Sequence, residues 1–292
     1  ISILLTQNTH KKFKQTEMTH LPPRLWIRFF GDSPLVSQIL KNFTQGPYAL
    51  SVTNWKLSCK SNKRNQLQQV GELFCNGVVR DSDYFLYTDA WNPTVIQLRY
   101  MAELLGVNIK IGGMWHAGSY DPADFLGRLI GDKPWVRNAE RSMYECFDHN
   151  FFASDFHIDM FFEAFPELDK SKVVKTGWPF EYMDTTLTPY KHMDKKDTVL
   201  FPHRIAPEKQ VKIFRDLAET LTQYNWVVCQ EKNLNKNEYH NLLGESKLVF
   251  SANLQETLGI SWYEGAVVGT LPMVPNRLSY TEMAVEDFLY PS

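Results

Sequence analysis

The sequence predicts an α/β protein made of two open, parallel-sheet domains in tandem. Two observations carry this. Short apolar runs alternate with amphipathic stretches along most of the chain, which is the pattern of strands joined by crossover helices. The alternation is interrupted once, by a polar segment over residues 183–197. At 292 residues the chain is long enough for two domains, each with its own core.

Taken in order, "DYFLYTDAW" reads as a strand emptying into a turn. "PTVIQLRYMAELLG" has apolar residues three and four apart and ends at Gly106, the spacing and stop signal of a helix. "VNIKIGGMWHAG" is the next strand and its loop, and "FFASDFHIDMFFEAF" and "KSKVVKTGWPF" continue the series. "EYMDTTLTPYKHMDKKD" is polar and proline-bearing, so residues 183–197 are expected to link a first domain, 1–182, to a second, 198–292. The second domain opens with "TVLFPHRI", the helix "EKQVKIFRDLAETLTQY" and the strand "NWVVCQ", followed by "SKLVFSA". It stops at "LYPS", and the helices that would close such a domain are expected beyond that point.

Composition narrows the class. With 43% hydrophobic and 22% charged residues the chain is globular rather than disordered. No run approaches the eighteen apolar residues of a membrane span, so no membrane partner is expected. Four scattered cysteines without a CxxC pair fit free thiols in a reducing compartment, so a cytoplasmic location is expected, without a metal site. Residues 1–80 hold eleven Lys or Arg against Glu17, Asp32 and Glu72, a net +8, which leaves −10 for the rest of a chain of net −2. Such asymmetry points to a polyanionic partner, or to an ordinary solvated basic face.

The chemistry is concentrated in "SANLQETLGISWYEGAVVGTLPMVPNR". A buried strand is followed by a helix ending at Gly269, with Glu256 and Thr257 in the intervening turn and Glu264 about two turns further on. The free N–H groups at a helix start form an anion site with the helix dipole. Ionised glutamates accept hydrogen bonds from sugar or ribose hydroxyls. Read without that ligand, Glu256 is a helix N-terminal charge and Glu264 a buried ion-pair partner. "FPHRIAPEKQ" adds Arg204 at a strand end and Lys209 at the following helix start, two cations suited to a diphosphate. In open sheets ligands bind at the strands' carboxyl ends, where these residues fall. In "GGMWHAGSYDP", Gly112 and Gly113 permit close approach of another molecule, and His116 could handle a proton or be structural. Asp81 and Asp83 in "DSDY" imitate a metal motif but read as a turn. "WKLSCKSNKRNQ" offers Trp55, Lys56, Lys60 and Arg64 to a phosphate backbone, or is a solvated loop.

The glutamate pair with Gly269 and Pro272, together with Arg204 and Lys209, resembles the donor site of retaining GT-B glycosyltransferases of the family-4 type. "FPHR" and "GTLPMVPNRLSYTEM" are similar to the queuosine-tRNA mannosyltransferase family, with its "PHR" and "YPLCP…YPE" stretches. "MWHAGSYDP" is similar to that family's "HEN…YP" loop. The likeness covers 198–283 well, 88–184 loosely and 1–80 poorly; Ile205–Pro207 stand where the family has a Trp-acid stretch.

The resemblance implies a GT-B fold of two Rossmann-like domains facing a cleft, and a retaining hexosyl or pentosyl transfer without cofactor or metal. It implies a UDP- or GDP-linked sugar held by Arg204, Lys209, Glu256, Thr257, Leu258, Gly259 and Glu264, with His116, Glu256, Arg204 and Lys209 as the catalytic set. The acceptor is expected to be a nucleic acid bound through Trp115, His116, Tyr120, Asp121, Lys56, Lys60 and Arg64. A hydroxymethylated base in phage-type DNA is preferred to queuosine in tRNA or to a glycan or lipid, which would place a phage-encoded enzyme in the host cytoplasm. A base in duplex DNA would have to leave the stack, with Trp115 and Tyr120 placed to receive it.

Overall fold

A computed structural model describes residues 2–3, 24–28, 49–50, 62–177 and 180–292. The chain divides into two compact units, the first comprising residues 1–118, 132–152 and 165–176 and the second 119–131, 153–164 and 177–292.

The first unit holds a seven-stranded sheet: β1 (Ser2–Ile3), β2 (Arg24–Arg28), β3 (Ala49–Leu50), β4 (Tyr84–Tyr87), β5 (Lys110–Met114), β6 (His149–Phe152) and β7 (Val173–Lys175). The order is β1-β2-β4-β5-β6-β7, with β3 also on β2. Among the described residues only the β1–β2 pair is antiparallel. The helix Thr94–Leu104 buries Val95, Leu98 and Ala102 and gives way to Gly106 at φ 66°, a left-handed residue that ends helices cheaply only as glycine. Asp81 and Asp83 shape the turn before β4. Asp81 accepts the Asn108 N–H at 2.7 Å, and buried Asp83 accepts the Arg80 N–H at 3.2 Å.

The glycines of β5 have an internal reason, not the expected external one. A Cβ on Gly112 would stand 2.4 Å from the Tyr84 hydroxyl, and one on Gly113 2.4 Å from the Phe147 ring. Aromatic side chains of the unit's own core fill the space that was expected to admit another molecule.

The second unit holds β8 (Lys196–Phe201), β9 (Asn225–Val228), β10 (Ser246–Phe250), β11 (Leu271–Pro275) and β12 (Leu289–Tyr290), in the order β12-β11-β10-β8-β9 and parallel throughout. Successive residues of β8 serve opposite faces. Val199 and Phe201 pack with Phe214, Val228 and Phe250, while Leu200 packs with Val227, Leu243 and Val249. Burial on both faces is what a parallel sheet requires of its strands.

Residues 183–197 are not a bare linker. Glu181–Leu187 is a helix and Thr188–Tyr190 a 3-10 turn, and Phe180, Met183 and Leu187 are buried in the second unit's core. Their spacing of three and four is helical, but it lasts only two turns between polar residues. Lys195 closes the segment by donating to the Gly244 and Val268 carbonyls at 2.6 and 2.9 Å and to Thr270 Oγ1 at 3.0 Å. The expected boundary near 182 also misses two excursions, 119–131 and 153–164, which fold with the second unit. Among the described residues no helix is long and apolar enough to cross a membrane.

Candidate functional site

At the carboxyl edge of the second sheet, β8 ends at Phe201 and the chain runs through Pro202, His203 and Arg204 into a 3-10 turn, Pro207–Lys209. Gln210, left-handed at φ 55°, then starts the helix Val211–Thr220. Lys209 therefore stands one step before that helix rather than on it. From β10, the loop over residues 251–259 leads to the helix Ile260–Val267. Gly259 is its N-cap at φ 76°, where a Cβ would also stand 2.4 Å from the Trp262 ring and 2.9 Å from Tyr280. Arg277 shapes the loop by donating to the Ala252 and Asn253 carbonyls at 2.9 and 3.0 Å.

These loops and the start of the helix Lys236–Glu245 line a cleft of about 550 Å³. Five of the expected donor residues meet there: Arg204, Lys209, Glu256, Leu258 and Glu264. Thr257 and Gly259 belong to the turn between them. The volume lies in the range of small-ligand sites.

Lys209 is buried, with Nζ donating to the Gln255 carbonyl at 2.7 Å and to Glu256 Oε2 at 3.3 Å. Glu256 also accepts from Asn253 Nδ2 at 3.1 Å and from the Leu258 N–H at 3.3 Å. Burial works against its charge, but Lys209 and the N–H groups of Gly259 and Leu258 outweigh it and hold the carboxyl below the usual range. Glu256 thus sits ahead of the helix start as an N-terminal charge does, taking the Leu258 N–H of the preceding turn. Beside it, burial and the nearby Lys209 push His203 down to about 3, so its ring is neutral.

Glu264 faces the same cleft from the helix. Lys236 Nζ donates to Oε1 and the Tyr239 hydroxyl to Oε2, each at 2.9 Å. Burial again opposes its charge, and His240, Lys236 and Tyr239 reverse the balance and lower its pKa. Tyr239 is pushed well above its ordinary value by burial and by Glu264. The cleft so presents cations and a helix N-terminus at one part and a carboxylate wired to a lysine and a tyrosine at another. The first suits a diphosphate and the second hydroxyl groups.

The sequence did not single out Lys236, Tyr239 or His203. Lys236 and Tyr239 lie on a helix marked by a capping box, Asn235 with Glu238, which is a readable start signal. His203 falls in the "FPHR" stretch that carries the family likeness, but its chemistry gives no further signal.

The expected acceptor residues are divided between the two units, Trp115 and His116 in the first and Tyr120 and Asp121 in the second. Trp115 is 2% exposed, stacks on Phe152 and donates Nε1–H to Asn150 Oδ1 at 2.8 Å. Tyr120 is buried, bonded at 2.7 Å to His157 Nε2 and set edge-on to Phe161. Both rings belong to core packing, which corrects their expected role as a stacking surface. Asp121 is buried in the second unit, where burial raises its pKa. His116 belongs to the first unit, and its Nε2 is 2.6 Å from the Thr88 carbonyl, so that nitrogen carries the hydrogen. Trp55, Lys56, Lys60 and the side chain of Arg64 lie outside the described residues.

No family model and no curated protein sequence matches the chain significantly. Solved structures do. The chain is similar to an α,α-trehalose-phosphate synthase (UDP-forming) from Burkholderia vietnamiensis, with TM-score 0.58 and 9% identity over 93% of this chain and 87% of that one. A trehalose-6-phosphate protein from E. coli solved with UDP-2-fluoro glucose aligns with TM-score 0.58 and 8% identity over 91% and 87%. The catalytic domain of starch synthase IV from Arabidopsis thaliana, bound to ADP and acarbose, gives TM-score 0.51 and 11% identity over 79% and 64%. These likenesses define the class of fold: α/β, of the GT-B type, as the sequence led us to expect.

Proposed function

We propose that the protein is a glycosyltransferase that takes a sugar from a nucleoside diphosphate donor. The observation that carries this reading is the convergence of Arg204, Lys209, Glu256 and Glu264 on one cleft at the carboxyl edge of the second sheet. Arg204, Lys209 and the helix N-terminus would offset the charge that grows on the departing diphosphate. Such preorganised electrostatics is usually the largest contribution to catalysis. Glu264, with Lys236 and Tyr239, would take the ribose hydroxyls, and Glu256 the transferred sugar, with retention of configuration. Neighbours solved with UDP-2-fluoro glucose and with ADP support a nucleotide-sugar in this fold.

For the acceptor, the net +8 of residues 1–80 supports a nucleic acid, with a hydroxymethylated DNA base before queuosine in tRNA. Burial of Trp115 and Tyr120 favours a second reading, a carbohydrate hydroxyl, because no stacking surface is then needed. Incubation with labelled UDP- and GDP-glucose and UDP-N-acetylglucosamine tests the proposal. Release of free nucleoside diphosphate, absent in Glu264→Ala, is expected. Label moving into hydroxymethylated duplex DNA, tRNA or an oligosaccharide then names the acceptor, and no turnover of any donor overturns the reading.

A further inference from the structure

Glu208 lies between the two expected diphosphate cations in sequence, and its carboxylate is entirely shielded from solvent. Arg204 donates Nε–H and Nη2–H to its Oε1 at 3.1 and 2.6 Å. The other oxygen, Oε2, is 2.8 Å from Nη2 of Arg128, a residue of the 119–131 excursion. Burial opposes the charge of Glu208, but the two guanidiniums and its own N–H hold its pKa below the usual value. One buried carboxylate thus serves two arginines on the second unit.

The excursion is shaped to deliver Arg128. Asp121 and Asp124 accept the N–H groups of Ala123 and Leu126 at 2.9 and 3.0 Å, which fixes the turns into the short helix Phe125–Leu129. Gly127 lets that helix lie on the preceding chain, since a Cβ there would stand 1.9 Å from the Asp121 carbonyl. Arg128 Nε–H bonds back to the Ala123 carbonyl at 3.2 Å, which anchors the guanidinium while Nη2 makes its ion-pair contact with Glu208.

Charge arithmetic gives the arrangement a purpose. An Arg204–Glu208 pair alone is neutral, and an arginine so paired exerts little net field on a ligand. With Arg128 on the second oxygen the three groups carry a net positive charge. Glu208 occupies one edge of the Arg204 fork and leaves the remaining N–H groups to be presented in a fixed plane. Building on the donor reading above, we propose that Arg128 and Glu208 are positioning residues of the diphosphate site. Glu208 orients Arg204, and Arg128 keeps the group cationic so that Arg204 can bind the diphosphate. The sequence gives no hint of this, because Arg128 is distant along the chain and in no motif with Arg204.

The test is calorimetric titration of UDP, GDP and ADP into wild type, Arg128→Met, Arg128→Gln, Arg128→Lys, Arg204→Met and the Arg128→Met/Arg204→Met double variant, with folding checked by circular dichroism. Arg128→Met and the hydrogen-bonding but neutral Arg128→Gln should each weaken the bound diphosphate about tenfold, roughly 1.4 kcal/mol. Arg128→Lys should retain most of the affinity. In the Arg204→Met background, Arg128→Met should add little, because its effect passes through Arg204. An effect of equal size in both backgrounds, or wild-type affinity in Arg128→Gln, overturns the proposal and leaves the donor reading standing. A wild type that binds none of the three nucleotides overturns both.

Discussion

Lys209 Nζ and Glu256 Oε2 stand 3.3 Å apart at the carboxyl edge of the second sheet, one on the turn after β8 and the other on the loop after β10. Two adjacent parallel strands thereby deliver opposite charges to one cleft, and each charge needs the other. Lys209 is further held by the Gln255 carbonyl, and Glu256 by Asn253 and the start of the following helix. The pair ties the sheet edge together at the floor of the cleft.

Removing one partner leaves the other buried without compensation, which costs about 3–5 kcal/mol in such sites. Lys209→Met should therefore lower stability in chemical denaturation by that order. Lys209→Met/Glu256→Gln should recover most of the stability without recovering nucleotide binding. A double variant as unstable as Lys209→Met would show that packing, and not charge, sets the cost.

Lys195 is a structural lysine. Its three bonds satisfy the Gly244 and Val268 carbonyls near two helix ends and the Thr270 hydroxyl. Lys195→Met leaves these acceptors unpaired at about 1–3 kcal/mol for a buried group, so about 2 kcal/mol of destabilisation is expected. Nucleotide affinity measured well below the melting temperature should be unchanged, because Lys195 is not on the cleft.

Gly259→Ala combines a left-handed backbone with a clash against the Trp262 and Tyr280 rings. The backbone alone costs about 1–2 kcal/mol, and the rigid rings add to it. A loss above about 2 kcal/mol in denaturant unfolding is expected. Gly77→Ala shares the positive φ but would meet no atom within 4 Å, so it should cost less.

Acid should destabilise the protein in two stages. His203, lowered to about 3, stays neutral in the fold while its unfolded counterpart takes a proton below the ordinary value of 6.5. The unfolded state then binds more protons, so stability is full above 6.5 and falls as pH drops towards 3. Lys209 opposes a positive ring, Glu256 favours one, and Nε2 has no protein acceptor in place. By pH 5 the loss is roughly 2 kcal/mol, at 1.36 kcal/mol per pH unit. His203→Gln should flatten the melting-temperature profile between pH 7 and 5. Glu256 and Glu264 are lowered from 4.5, so their contribution is full above that value and lost as pH falls below it. Glu256→Gln should flatten only that lower stage.

The legible part of the molecule is the part whose signals are local. Strand and helix alternation, the Gly106 stop and the turn at Asp81–Asp83 were readable because each rests on neighbours in sequence. So was the gathering of Arg204, Lys209, Glu256 and Glu264, since each follows a parallel strand and such strands deliver their loops to one edge. The Phe180, Met183 and Leu187 helix was obscured because its apolar stripe is two turns long. Trp115 and Tyr120 misled because an aromatic in a polar loop looks available until its partners, Asn150 and His157, are known. Arg128 at Glu208 was beyond reach, since no periodicity links residues so far apart.

Calorimetric titration of wild type and Arg204→Met with UDP, GDP and ADP decides whether the cleft binds the diphosphate of a nucleotide-sugar. The expected result is binding of at least one of them in the micromolar range, about −7 to −8 kcal/mol, weakened at least tenfold in Arg204→Met. No binding to wild type below about 1 mM, or equal binding to both proteins, would contradict it.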